Sequence, residues 1–498
     1  MTGVRLLDGR LAAIFAPLIA AVCLACTIAL NPVAAIVGGG CLVLVALCWQ
    51  PAGISIRTAG LFMTFLLAGY ALLGRTFARL NAGPVYVGEI ALAVLLTTAL
   101  AHGDWSALWR SWVTRLLLLF AIWGAVRTAP FLSTYGLDAL RDAAVWGYGT
   151  FSIAAAGLLV RYGSLTVLTR TYRKLATLFL PWLVLLSAIR LLKWGGAVTQ
   201  ELLPEGALKP GDVSVHLAGI ACFVGLRLHR PASRAHGRSW LAEWLIWCGW
   251  AVSFFVFGTQ NRGGLLSIVI ALSLALGLWR GGAWAKALYI GLAVMIPFAI
   301  LEPDLGTSRK ASPQQLVTNL ISVAGDTDPS FEGTRQWRLS WWRKIRDYTL
   351  GGEYFWTGKG FGVNLADDDG FQTDPLNHSL RSPHNGHLTI LARTGIPGLM
   401  LWVLLQGTFG IGLLRKYLMA RRRRDTGRAA VILWILVYWS AFLVNAAFDV
   451  YLEGPQGGIW FWTVFGIGLA MLARRRYRPM GDPCGYRAQD TTIDPWRP

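Results

Sequence analysis

The feature that most constrains this chain is a break in its hydrophobicity. Apolar stretches recur along it, but one long polar stretch, Glu302 to Pro383, interrupts them. A bilayer core of ~30 Å is crossed by about 20 apolar residues in a helix. Segments approaching that length lie near 11–30, 33–49, 57–74, 85–101, 112–128, 143–161, 175–193, 214–229, 241–257, 264–279, 284–301, 394–414, 429–448 and 458–473. The expected fold is therefore all-α: a polytopic helical membrane protein with about 14 spans (12–14 if the shorter ones are discounted) and one long loop containing amphipathic helices. Charged residues make up 14% of the chain, against about 25% in a soluble domain.

The net charge of +20 does not point to nucleic acid, because the basic residues sit in short clusters between apolar segments. That is the pattern of membrane topology. With a cytoplasmic N-terminus, inside segments carry 28 Lys and Arg, against 8 on the outside once the long loop is set aside. Long loops are exempt from the positive-inside rule. Arg421–Arg424 and Arg474–Arg476 are the strongest inside markers. This places both termini in the cytoplasm and the long loop outside. The chain then divides into a transmembrane bundle over 1–301, an extracytoplasmic catalytic loop over 302–385, C-terminal transmembrane helices over 386–475 and a disordered cytoplasmic tail over 476–498. The N-terminal run continues through Leu30 without a convincing cleavage site and reads as a retained span. Six of the seven cysteines fall in apolar segments and none in the long loop, so no disulfide framework is implied.

On this topology Gly258-Thr259-Gln260-Asn261-Arg262-Gly263-Gly264 is an outer turn, and the helix after it presents free N–H groups and a positive dipole end to the outside. Its glycines allow close approach of a ligand to the backbone. Glu332 to Leu350 reads as an amphipathic helix with Trp337, Trp341, Ile345 and Tyr348 on one stripe and Arg335, Trp342 and Arg346 beside it. Such a helix is expected to lie on the outer leaflet with its tryptophans among the headgroups. For Arg338, Arg343, Lys344 and Arg346, attraction to anionic lipid is the plain alternative to a binding role.

Ser382-Pro383-His384 has the form of a helix start, with Ser as N-cap and Pro at the first position. His384 in the first turn would be held neutral by the dipole and able to take a proton from a hydroxyl. His378 and His387 read as solvated surface residues. Gly358-Lys359-Gly360-Phe361-Gly362 lacks the spacing of a P-loop. Asp367-Asp368-Asp369 with Asp374 lacks an EF-hand's glycine and glutamate and reads as a solvated acidic loop rather than a metal site.

Taken in order, these motifs resemble the O-antigen ligase and polymerase family of bacterial envelope glycosyltransferases. The resemblance is carried by N-R-G-G, G-T-R-x-x-W, G-K-G-F-G, P-H-N-x-x-L and T-G-I-P-G-L between Gly258 and Leu414, with Gly83–Glu89 in the N-terminal half. Arg393 departs from it, since many members carry an acidic residue there. The resemblance implies an enzyme of the bacterial cytoplasmic membrane that uses no cofactor, nucleotide or metal. It would transfer a glycan from a polyprenyl-diphosphate carrier to a glycan or glycolipid acceptor on the outer side. Arg262 and Arg335 would hold the diphosphate and His384 would serve in catalysis, with Asn261, Gly263, Arg338, Trp342 and Asn385 lining the site. In-line attack would invert the anomeric centre. Ligase and polymerase both remain open. A flippase would need charges within its spans, and Glu89, Arg190 and Asp449 all lie near span ends. A transferase with an acidic base in its first outer loop finds no acid at Asn31-Pro32.

Overall fold

The computed structural model describes residues 46, 48, 50–82, 85–191, 208–230, 239–279, 283–303, 310–324, 329–374 and 376–473. The first expected span, all of the second but residues 46 and 48, and the tail 476–498 lie outside the described residues. The chain runs α1 (Ala52–Leu73), α2 (Arg75–Ala78), a short antiparallel ribbon of β1 (Asn81–Ala82) and β2 (Val85–Tyr86), then α3 (Val87–His102), α4 (Trp105–Trp109), α5 (Trp112–Thr128), α6 (Leu132–Tyr135), α7 (Leu137–Gly147), α8 (Gly149–Tyr162) and α9 (Leu165–Leu191). It continues with α10 (Pro210–Gly225), α11 (Ser239–Gly258), α12 (Arg262–Leu278), α13 (Ala283–Leu301), α14 (Pro313–Ala324), α15 (Pro329–Leu350), α16 (Leu365–Asp369), α17 (Gly386–Arg422), α18 (Thr426–Ala446) and α19 (Pro455–Ala473). Each remaining expected span coincides with a helix, and 143–161 with the α7–α8 pair, which bends by 42°. Seven described helices are long and apolar enough to cross a membrane, or eight if the bent pair is one span. Four shorter apolar helices, among them α3, α10 and α12, add to these. This is a multi-pass membrane protein.

Small residues let the central helices approach closely, as packing between helices in lipid requires. A Cβ on Gly219 of α10 would meet the Tyr438 ring of α18 at 2.8 Å, and one on Gly466 of α19 would meet the Ser152 backbone of α8 at 2.8 Å. α18 is apolar all round and buried along nearly its whole length, as such a helix must be. Inside the bundle His216 of α10 pairs with the Tyr438 hydroxyl at 2.6 Å.

α10, α12 and α17 start at one end of the bundle, and α18 finishes there. The opposite end is basic: Arg230 and Lys286 both pair with the buried Glu243, and Arg421 lies over the Trp279 ring.

The polar stretch folds into a lobe with a core of its own. Trp341, Ile345, Leu365, Ala366, Leu391 and Ala392 are its buried residues. For Trp341 this overturns the expected placement in the headgroups. Trp341 and Ile345 are fully buried against α16 and the start of α17, because the protein supplies apolar partners that a lone amphipathic helix would have to find in lipid. The acidic run is not simply solvated either. Asp369 is buried, accepts from Trp341 Nε1 at 2.7 Å and pairs with Lys359 at 2.6 Å. Burial opposes the Lys359 charge, but its hydrogen bonds to Asp368 and Asp369 hold the ammonium above its ordinary value.

α17 belongs to both regions. Gly395 (φ 67°) breaks it, and Pro397 removes the N–H that would have reached the Arg393 carbonyl. The G-K-G-F-G turn repairs this ladder: Lys359 N–H donates to the Ala392 carbonyl at 2.7 Å and Gly360 N–H to that of Arg393 at 3.0 Å. The motif is thus a helix-break splint built on glycines at positive φ.

Candidate active site

The helix after residue 382 starts later than expected. Its first residue is Gly386, and its N-cap is Asn385, whose Oδ1 accepts from the N–H groups of His387 and Leu388, both at 3.1 Å. His384 precedes the cap, at φ 54°, a region non-glycine residues seldom visit. The dipole argument for His384 therefore does not apply. A carboxylate sets its surroundings instead, with Nδ1 lying 3.7 Å from Oδ1 of Asp449 in the turn between α18 and α19.

That turn is where the site residues meet. A Cβ on Gly263 would overlap Phe448, and one on Gly211 would come within 3.0 Å of Asn445. The start of α12 is thereby pressed against the turn, with Asn261 as its N-cap (Oδ1 accepting from Gly264 N–H at 2.7 Å) and Arg262 as its first residue. Gly264 in turn abuts Gly211 and Ser214 at the start of α10. From the lobe, Arg338 donates to the Phe448 carbonyl at 3.2 Å, and Arg335 lies one helical turn before it on α15. Trp342 donates from Nε1 to the Pro383 carbonyl at 2.8 Å, and the Trp337 ring stands 6.3 Å from that of His384. The residues expected at the site thus gather around one turn. Asn385, Asn261, Gly263 and Trp342 act there as caps, spacers and struts.

Two residues that the sequence did not assign to the site belong to the same place: Lys209, and Asp449, noted there only as a charge near a span end. Lys209, the N-cap residue of α10, donates to both carboxylate oxygens of Asp449 at 3.0 and 3.2 Å. Burial works against the Asp449 carboxylate, yet the nearby His384 imidazole and its pairing with Lys209 hold the group well below the usual carboxylate range. Burial also works against the Arg338 charge, offset in part by Asp449. Lys209-Pro210-Gly211-Asp212 carries a helix-start signal, Pro at the first helical position and an acid in the first turn. It could have been read beside the other two starts.

Of the two histidines expected to be solvated, one is and one is not. His378 does lie exposed, paired with Asp367 at 2.8 Å. His387 is not a solvated residue: Trp402 Nε1 donates to its Nδ1 at 3.0 Å, so Nε2 carries the proton given to the Leu443 carbonyl at 3.1 Å. Arg393, the departure from the family pattern, is fully buried and pairs with Asp142 at 3.0 Å.

A helical membrane protein with three helix N-termini, several cations and a His–Asp pair at one end is suited to an anionic substrate and a proton transfer. The family model described as O-antigen ligase matches residues 247–403. Over that segment, from α11 to the first part of α17, the chain is O-antigen ligase-like, as its motifs implied. The match includes Arg262, Arg335 and His384 but ends before Asp449. No curated protein matches the chain.

Proposed function

We propose that the protein is an O-antigen ligase-type glycosyltransferase of the bacterial inner membrane, moving a glycan from a polyprenyl-diphosphate carrier to an acceptor hydroxyl on the extracytoplasmic face. The observation that carries this reading is the meeting of His384, Asp449 and the starts of α10, α12 and α17 at one turn, with His384 and the starts of α12 and α17 inside the O-antigen ligase-like segment. Arg262 and Arg335 receive the diphosphate, whose charge grows as the glycosyl bond breaks. Asp449 holds the proton of His384 on Nδ1, leaving Nε2 to accept the proton of the attacking hydroxyl. In-line attack inverts the anomeric centre. The cations take up the leaving diphosphate's charge, so no metal or nucleotide is required. The basic asymmetry of the sequence puts this end of the bundle outside and both termini inside.

Purified full-length protein, an undecaprenyl-diphosphate-linked glycan and a glycolipid acceptor make the direct test, run with and without EDTA. Transfer with inversion, unaffected by EDTA, is the expected result. Loss of activity in EDTA would move the role of the cations to a metal. If only donor glycans lengthen and the glycolipid stays unmodified, the chain is a polymerase. A flippase would move the donor across the bilayer without forming any glycosidic bond.

A further inference from the structure

Beneath the His384 segment lies a charge cluster that the mechanism above does not use. Asp142, 5% exposed on α7, accepts from Arg381 at both oxygens, Nε to Oδ1 at 3.2 Å and Nη2 to Oδ2 at 2.9 Å. Arg381 also donates to the Gly362 carbonyl at 2.9 Å and to Asp138 at 3.3 Å. The same Asp142 takes the Gly362 N–H at 3.0 Å and pairs with Arg393 of α17. Glu453, four residues after Asp449, faces Arg393 and Asp142 too; burial raises its carboxyl above the ordinary value, and Arg393 opposes the rise.

Arg381 stands three residues before His384. The backbone between them is held at Pro383 by Trp342 and at Asn385 by its own cap. A residue at φ 54° keeps that conformation only where its surroundings over-determine it. The Arg381 fork is the fixed point on the N-terminal side of that strained residue.

We propose that Asp142 and Arg381 are positioning residues for His384, the bidentate pair anchoring the segment 381–385 so that the imidazole meets Asp449. The proposal rests on the reading of His384 as the base, and it extends the site to α7, far from the matched motifs in sequence. A planar fork gripping two oxygens fixes direction as well as distance, which a lysine cannot reproduce. Misplacement of a catalytic group by about 1 Å can cost on the order of 100-fold in rate.

Arg381→Gln is the variant to use, because the Asp142–Arg393 pair remains to hold α7 to α17. The glycan-transfer assay should show kcat lowered roughly 10–100-fold with the donor KM changed less than about twofold. The melting midpoint in detergent should stay near wild type, and Arg381→Lys should recover part of the loss. In the His384→Ala background Arg381→Gln should cost nothing further. A readout independent of catalysis is maleimide labelling of His384→Cys in a chain whose native cysteines are replaced, which should quicken when Arg381→Gln is added. Unchanged labelling with wild-type kcat would overturn the proposal, as would an equal kcat loss in the His384→Ala background. A fully active His384→Ala removes the base reading alone, and the labelling experiment then still decides whether Arg381 positions the segment.

Discussion

Helices α18 and α13 are both strongly apolar, yet 78% of the apolar window of α18 is buried inside the protein against 11% for that of α13. α19 resembles the first at 83%, and α5 lies nearer the second at 22%. Lipid is as good a solvent for leucine as a neighbouring helix, so hydrophobicity alone does not draw these helices together. Small residues and hydrogen bonds do, and they are concentrated where α10, α12, α17 and α18 meet. A site that must hold an imidazole beside a carboxylate is built in that rigid centre, with its polar turn at one end. The rim can be apolar without being shaped.

The largest effects should therefore fall where the centre carries chemistry. His384→Ala is expected to lower turnover by roughly 10²–10⁴ while leaving donor binding near wild type. Asp449→Asn should come close to it, since the amide no longer fixes the Nδ1 proton. His378→Ala in the exposed loop should stay near wild-type activity. His387→Ala does not serve as a second control, because it breaks the Trp402 and Leu443 contacts. The depressed Asp449 carboxyl adds a pH test. Its stabilising pairing is complete above the unfolded value near ~3.9 and is lost only as pH falls through its still lower folded value. An acid limb of the rate profile between roughly pH 5 and 7 would thus belong to a group other than Asp449. An active His384→Ala would leave the arginines as electrostatic catalysts and break the assignment of chemistry to this turn.

Next in size are Arg262→Ala and Arg335→Ala. Each removes a charge-assisted contact worth roughly 1.5–3 kcal/mol, or about 10–150-fold in donor use. Lysine should rescue only partly, as a point charge does not replace a fork. Wild-type donor kinetics in both alanine variants, at normal expression, would remove the diphosphate role from this end of the bundle.

A third test compares two glycines of α12. Gly263 has no room for a Cβ beside Phe448, whereas Gly277 has open space around it. Gly263→Val should destabilise by about 1–3 kcal/mol through overpacking and disturb the turn that carries Asp449. Gly277→Ala should be neutral or slightly stabilising. Melting midpoints and glycan transfer of the two variants measure the contrast; equal tolerance at both would mean that α12 does not press on the turn.

The spans were legible because a run of apolar residues needs no partner to be recognised, and each expected span within the described residues has its helix. The centre and the rim were not separable, since burial by protein and burial by lipid leave the same hydropathy. Helix starts were legible by their caps but only to within a few residues: Ser382-Pro383 looks like a start, while Asn385 performs the capping. The Trp337–Tyr348 stripe showed which face of α15 is buried but not what covers it, because Leu365 and Leu391 come to it only in the folded chain. Asp449 and Lys209 were missed for a related reason. They are 240 residues apart in sequence, and although Lys209 heads a readable helix start, nothing in the sequence joins it to Asp449.

The smallest expected effect sharpens the same contrast within a single rim helix. On α13 Leu288 is 65% exposed and Ile290, two residues on, is 1% exposed. Leu288 faces outward, where lipid contacts the alanine of Leu288→Ala as readily as the leucine, so stability should change by no more than about 0.5 kcal/mol. Ile290→Ala empties volume between packed side chains and should cost roughly 2–5 kcal/mol, even though α13 is among the least buried spans. Detergent melting curves of the two variants, with glycan transfer as a second readout, test the pair. If Leu288→Ala destabilised as much as Ile290→Ala, the outer surface of α13 would be covered by protein rather than lipid, and the division into a shaped centre and an unshaped rim would fail at that helix.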